Sequence, residues 1–324
     1  MAAGGRDQPV EGAARVELAA GDGHRLVAHR FRAARPGAVV VVGPALGIPQ
    51  DFYADFARYL AGRGLTTLTF DFRGIGRSAP RSLRGFRATL TDWIDHDYEA
   101  VLQAAVAEAR GAPVAVLGHS LGAQLPALTP SARHVRAMVA VAGGGGYWGG
   151  LAPAMRPAML AMLLGVAPAA MPIAGYFPGR RLRMLGDLPA GVMRQWSRWC
   201  LNADYLVGVE PGAREAYANV RFPILSLSFT DDRMMPQRNV DTLHAFFRHA
   251  PRESRRLSPA DAGGPIGHTG FFRHRYRDTL WPIAADWLLA RAADAQAPGP
   301  GAPARGAAPR PDSGIHPNEQ ETSA

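Results

Sequence analysis

The chain has 324 residues, 47% of them hydrophobic and 19% charged, enough for one large folded domain with an insertion or for two domains, and this excludes a mainly disordered protein. Lys+Arg is 36 against Asp+Glu at 27, a net +9, and every basic residue is arginine. That excess is scattered apart from small clusters at Arg180–Arg183 and Arg252–Arg256, which excludes the concentrated basic element of a nucleic-acid binder.

Residues 1–12 are small and polar, with no apolar core behind the first basic residue, so a disordered N-terminus without a secretory signal is expected. Arg15–Leu18 and Leu26–Phe31 read as two strands around the Gly21-Asp22-Gly23 turn. The β-branched run Ala38–Val42 has the character of a strand buried on both faces. Asp51–Arg63 places Phe52, Phe56, Tyr59 and Leu60 at helical spacing and stops at Gly64. Strand Leu65–Phe70, helix Trp93–Arg110, strand Val114–Leu117, helix Leu121–Leu128 and strand Ala137–Ala142 follow. After an interruption the alternation resumes with strand Ile224–Phe229, helix Val240–Phe247, a short strand near Arg255–Leu257 and a last helix, Phe271–Ala292. Such alternation predicts an α/β fold with a mostly parallel sheet.

The expected core is residues 13–143 and 220–292. The interruption, 144–219, holds six of the ten methionines and reads as a helical cap over the carboxyl edge of the sheet. Within it Pro157–Gly179 is uncharged and long enough to suggest a membrane span, but Pro168, Pro172 and Gly175 should break it, leaving Ala158–Val166 as its longest clean run. No stable membrane insertion is expected, and the protein reads as soluble and cytoplasmic. The tail 293–324, rich in Pro, Gly and Ala, reads as disordered. A single cysteine, Cys200, excludes a disulfide framework and a multi-cysteine metal site. In its aromatic run it reads as a buried, inert thiol.

The pentapeptide Gly118-His119-Ser120-Leu121-Gly122 gains meaning from its context, since it leaves a strand and opens a helix. That sharp turn strains the serine and leaves no room for side chains two residues either side, which suits Gly118 and Gly122; Ala123 keeps the helix close to the sheet. A serine hydroxyl becomes a nucleophile only when a base takes its proton and an acid orients that base. Thr230-Asp231-Asp232 follows strand Ile224–Phe229, where the acid is expected. Asp232 stands four residues before Pro236 and is the preferred candidate, with Asp231 second. The loop after the preceding strand, Gly143–Gly146, offers no carboxylate. Of ten histidines only His268 lies in the late loop, between Gly267 and Thr269-Gly270. His119 is directed away from the base position, and His274 reads as a surface residue.

These residues, with Gly43-Pro44-Ala45-Leu46-Gly47, Asp71-Phe72-Arg73-Gly74-Ile75-Gly76-Arg77-Ser78 and Gly267-His268-Thr269-Gly270-Phe271-Phe272, make the sequence resemble an α/β-hydrolase-fold serine hydrolase over about Val16 to Ala292. It is close to the monoglyceride-lipase-like and serine-aminopeptidase-like branch and to predicted bacterial hydrolases without assigned substrates. The resemblance implies Ser120 as nucleophile, Asp232 as acid and His268 as base. Relatives commonly carry His-Gly where this chain has Gly43-Pro44. Pro44 has no N–H, so the oxyanion donors are expected to be the amides of Ala45 and Leu121, with Leu46 as the other candidate.

Gly74-Ile75-Gly76-Arg77-Ser78-Ala79 also fits a dinucleotide-binding pattern, but Pro80 follows at once and no helix starts there, so a structural loop and no cofactor are expected. Trp148, Met155, Met159, Met162, Leu163 and Met171 suit either an adaptable acyl pocket or the cap's own core. The expected activity is cleavage of a carboxylic ester, less readily an amide or thioester, in a small-molecule acyl substrate. The alternatives are acyl transfer by the same triad and a non-catalytic binding protein of this fold.

Overall fold

The structure, a computed structural model, describes residues 9–184 and 186–296. Of the ends expected to be disordered, residues 1–8 and 297–324 lie outside the described residues, whereas 293–296 belong to the last helix, Trp281–Gln296.

Eight strands build one sheet: β1 (Ala14–Ala19), β2 (Arg25–Phe31), β3 (Ala38–Gly43), β4 (Leu65–Phe70), β5 (Val114–His119), β6 (Val135–Val141), β7 (Ile224–Phe229) and β8 (Arg252–Leu257). Their order is β1-β2-β4-β3-β5-β6-β7-β8. The β1–β2 and β2–β4 pairs are antiparallel, and every pairing from β4 to β8 is parallel. Every residue of β3, β4, β5 and β7 is buried, as expected of parallel strands covered by helices on both faces. β8, Arg-Glu-Ser-Arg-Arg-Leu, is exposed at the sheet's margin, where its charges discourage pairing with another chain. One side of the sheet packs on Phe56, Phe271, Phe272 and Trp281. The other packs on Trp93, Tyr98 and Leu102 in a cluster that continues into the cap through Met162, Leu163 and Trp199.

Several helix boundaries correct the sequence expectation. The helix after Ser120 is only Leu121–Gln124, because Pro126 lacks the N–H to continue it and opens a 3-10 turn instead. The segment expected as Trp93–Arg110 starts earlier, at Leu90 behind a Thr89 capping box, and contains a π turn at Trp93–Tyr98. Phe271 and Phe272 lie in a 3-10 turn, and the last helix starts at Trp281 with Pro282 in its first turn, where a missing N–H costs nothing.

In the cap, Pro168 and Pro172 do not break the apolar helix. It runs from Pro153 to Ala174, takes a π turn at Ala161–Val166 just ahead of Pro168, and ends at Gly175 with φ +81°. The wider π register accommodates the proline ring where an α turn would clash. The cap then returns to the core. A Cβ on Gly186 would lie 2.4 Å from the Gly47 carbonyl oxygen, and one on Gly191 would lie 2.4 Å from that of Ala88. The Gln195 side chain accepts from the Leu90 amide at 2.7 Å.

Candidate active site

β5 ends in the turn that carries Ser120. Its φ of +51° and ψ of −114° place a non-glycine residue in strained backbone, which the surroundings must enforce. They do so by contact. A Cβ on Gly118 would stand 2.3 Å from the Ala123 Cα, and one on Gly122 would stand 2.0 Å from the Gly43 carbonyl oxygen. The Tyr98 hydroxyl donates to the Gly122 carbonyl at 3.0 Å, tying the turn to the core helix.

The first partner comes from β7, two strands along in the sheet order. Asp232 lies beyond β7 and is almost wholly buried. Its Oδ2 is 2.7 Å from His268 Nδ1, while its Oδ1 accepts from the amides of Met234 and Met235 at 2.9 and 3.0 Å. A carboxylate can only accept here, so Nδ1 carries the proton and Nε2 is left free as a base. Asp231 takes a different role: its Oδ2 accepts from the Ile266 amide at 2.8 Å and so anchors the loop that presents His268. Ser120 is partly exposed and follows His119, whose ring is bonded to the His268 carbonyl; its hydroxyl makes no hydrogen bond among the described residues. The structure thus joins Asp232 to His268 and leaves the serine–histidine contact open, a contact that commonly tightens only with substrate bound.

His119 and Tyr53 were not expected to take part. Tyr53, just ahead of the helix Ala54–Gly62, is fully buried on the same stripe as Phe56, Ala57 and Leu60, and a buried tyrosine hydroxyl needs a partner, which was the available signal. Its Oη lies 2.9 Å from His119 Nδ1, and His119 Nε2 lies 2.9 Å from the His268 carbonyl oxygen. That carbonyl can only accept, so Nε2 donates and Nδ1 accepts from the tyrosine. Burial, reinforced by the charge His268 can carry, pushes His119 down to about 3, so the ring is neutral at ordinary pH.

The same chain of bonds corrects one expected donor. The Ala45 amide donates to Tyr53 Oη at 2.9 Å and is therefore occupied. The Leu46 amide makes no hydrogen bond among the described residues, and neither does that of Leu121 at the first position of its helix. The amides of Leu46 and Leu121 are thus unpaired among the described residues, whereas that of Ala45 is occupied.

The glycine-rich stretch after β4 wraps an internal carboxylate. Buried Asp71 accepts from the Gln50 and Arg77 amides at 2.7 and 2.8 Å, and a Cβ on Gly76 would lie 2.4 Å from it. Arg73 donates to buried Asp97 at 2.7 Å and also pairs with Asp22. The loop's groups are thus turned inward, and no helix follows it before Leu90, so it lacks the form of a phosphate-binding loop. Of the apolar cap residues, Met162, Leu163 and Met171 are buried in the shared core, Trp148 and Met159 pack against it, and Met155 is half-buried. Cys200 is fully buried, which pushes its thiol up.

Residues 34–188 match the family model described as serine aminopeptidase, S33. Among solved structures, a soluble variant of monoglyceride lipase from Saccharomyces cerevisiae is similar at 15% identity and a TM-score of 0.62, over 89% of this chain and 98% of that one. A membrane phospholipase A, described as a bacterial virulence factor, aligns at 16% identity and 0.53 over 88% and 87%. The esterase domain of a Rhodothermus marinus protein aligns at 16% identity and 0.51 over 86% and 98%. At these identities the likeness is one of fold. No curated protein matches the chain.

Proposed function

We propose that this chain, which has the α/β-hydrolase fold and matches the serine aminopeptidase, S33, model over residues 34–188, cleaves a carboxylic ester through an acyl-enzyme on Ser120. The observation that carries this reading is the 2.7 Å contact of His268 Nδ1 with buried Asp232, together with a strained serine, φ +51°, whose neighbour His119 is bonded to the His268 carbonyl. His268 Nε2 takes the serine proton as Oγ attacks the ester carbonyl, and Asp232 steadies the imidazolium that forms. The amides of Leu46 and Leu121 receive the oxyanion. His268 then protonates the leaving alcohol, and the same base activates water against the acyl-enzyme.

The relay from Ala45 through Tyr53 and His119 to the His268 carbonyl supports this assignment, because it ties the oxyanion loop, the serine turn and the histidine loop into one frame. The substrate we favour has an apolar acyl group, in keeping with the apolar cap packed over the carboxyl edge of the sheet. Rapid mixing with p-nitrophenyl butyrate tests the mechanism. A burst of p-nitrophenol equal to the enzyme concentration, followed by slower turnover, is expected of an acyl-enzyme. Failure to turn over any carboxylic ester would contradict it.

A further inference from the structure

The cap presents a surface that its own core does not explain. The helical stretch Pro153–Ala174 has a mean hydropathy of 1.7 in its most apolar window, and only 22% of that window is buried. Its inner face, Met162, Leu163, Ala167 and Met171, is packed into the molecule. Its outer face exposes Leu164 at 60%, Val166 at 38% and Ile173 at 79%, and the residues between them on that face are alanine, glycine and proline. A surface helix ordinarily turns charged and polar side chains outward. This one is apolar all round, and its only charged residue is Arg156.

The charge around this face is mostly of one sign, the carboxylate of Asp187 pairing with Arg180 at 3.9 Å and leaving Arg181 and Arg183. No Asp or Glu stands between Glu108 and Asp187. Just past the helix, Arg180, Arg181 and Arg183 are exposed, interleaved with the exposed Leu182 and Met184. Arg84 donates to the Ile173 carbonyl at 3.2 Å and adds a further cation at the helix end. An apolar face edged by arginine is the chemistry that settles into the headgroup boundary of an anionic bilayer. A second copy of the chain fits less well, since the same face carries no carboxylate to meet the arginines. The buried inner face also holds the helix to the protein, so it lies along a bilayer rather than crossing it.

We propose that the cap docks on anionic lipid surfaces, with the outer face of Pro153–Ala174 at the acyl–headgroup boundary and Arg181 and Arg183 against lipid phosphates. The test is co-sedimentation of the full chain with phosphatidylcholine vesicles, with and without phosphatidylglycerol, at low and high salt. Binding to the phosphatidylglycerol vesicles that weakens with salt is expected. Leu164→Glu/Ile173→Glu should weaken it at least tenfold, and Arg181→Gln/Arg183→Gln should remove the preference for phosphatidylglycerol. These positions are exposed, so both variants should melt like the parent. Ser120→Ala should bind as the parent does, which separates this proposal from the catalytic one. No vesicle binding, equal binding to neutral vesicles, or an unweakened Leu164→Glu/Ile173→Glu would each overturn it. So would a parent that is dimeric in solution and becomes monomeric on that double substitution without binding vesicles.

Discussion

Asp231 and Asp232 are adjacent, yet one holds a backbone amide and the other an imidazole. Asp232→Asn should leave the protein folded and lower kcat by very roughly 10⁴, because an amide cannot hold His268 in the tautomer that frees Nε2. Asp231→Asn keeps an oxygen to accept from Ile266, while its nitrogen replaces an oxygen that is buried without a partner, so its effect on kcat should be small. Ester turnover of the two variants checks this, and a damaging Asp231→Asn beside a mild Asp232→Asn would reverse the roles. The spacing to Pro236 made this distinction legible, as the paired glycines did for Ser120 and the late loop did for His268. The occupied Ala45 amide was not legible. It depends on where a tyrosine eight residues on places its hydroxyl once packed, and no local pattern encodes that.

Strands were easier to read than helices for a physical reason. A strand buried on both faces is a short, largely apolar run, and β4 and β7 begin and end where that run does. Helices here carry prolines and π turns, and the outcome at each proline depends on the neighbouring register. Pro126 ends a helix, Pro168 follows a π turn within one, and Pro282 helps to start one. The serine turn shows how tightly two elements constrain each other. Gly122→Ala would place a methyl 2.0 Å from a backbone oxygen of β3, an overlap that no side-chain rotation relieves. A loss of more than about 3 kcal/mol in urea unfolding is expected, with turnover falling in whatever folds. A variant as stable as the parent would show that the turn and β3 can separate.

Across the whole molecule, buried histidines tie stability to pH. His244, inside the core, donates to the Gly143 carbonyl at 3.0 Å, and burial holds it down to about 4. Its folded value lies below the ordinary histidine value of 6.5, so its contribution is complete above that pH and is lost as pH falls toward about 4. His119 acts in the same direction, and each group adds a slope of at most about 1.4 kcal/mol per pH unit. Urea midpoints between pH 7 and 4.5 should therefore fall less steeply in His244→Gln, which retains a donor for Gly143, than in the parent. Equal slopes would mean that His244 is protonated without penalty. The sheet was legible from alternation; the outward apolar face of the cap was not, because which side of an all-apolar helix meets the core is decided by packing. The central claim is the covalent role of Ser120, and peptide mapping after reaction with a fluorophosphonate tests it most directly. The account predicts an adduct on Ser120 alone, with Ser120→Ala unlabelled and its turnover lower by a factor on the order of 10⁶. An adduct on another residue, or a Ser120→Ala variant that still turns over esters at the parent rate, would contradict it.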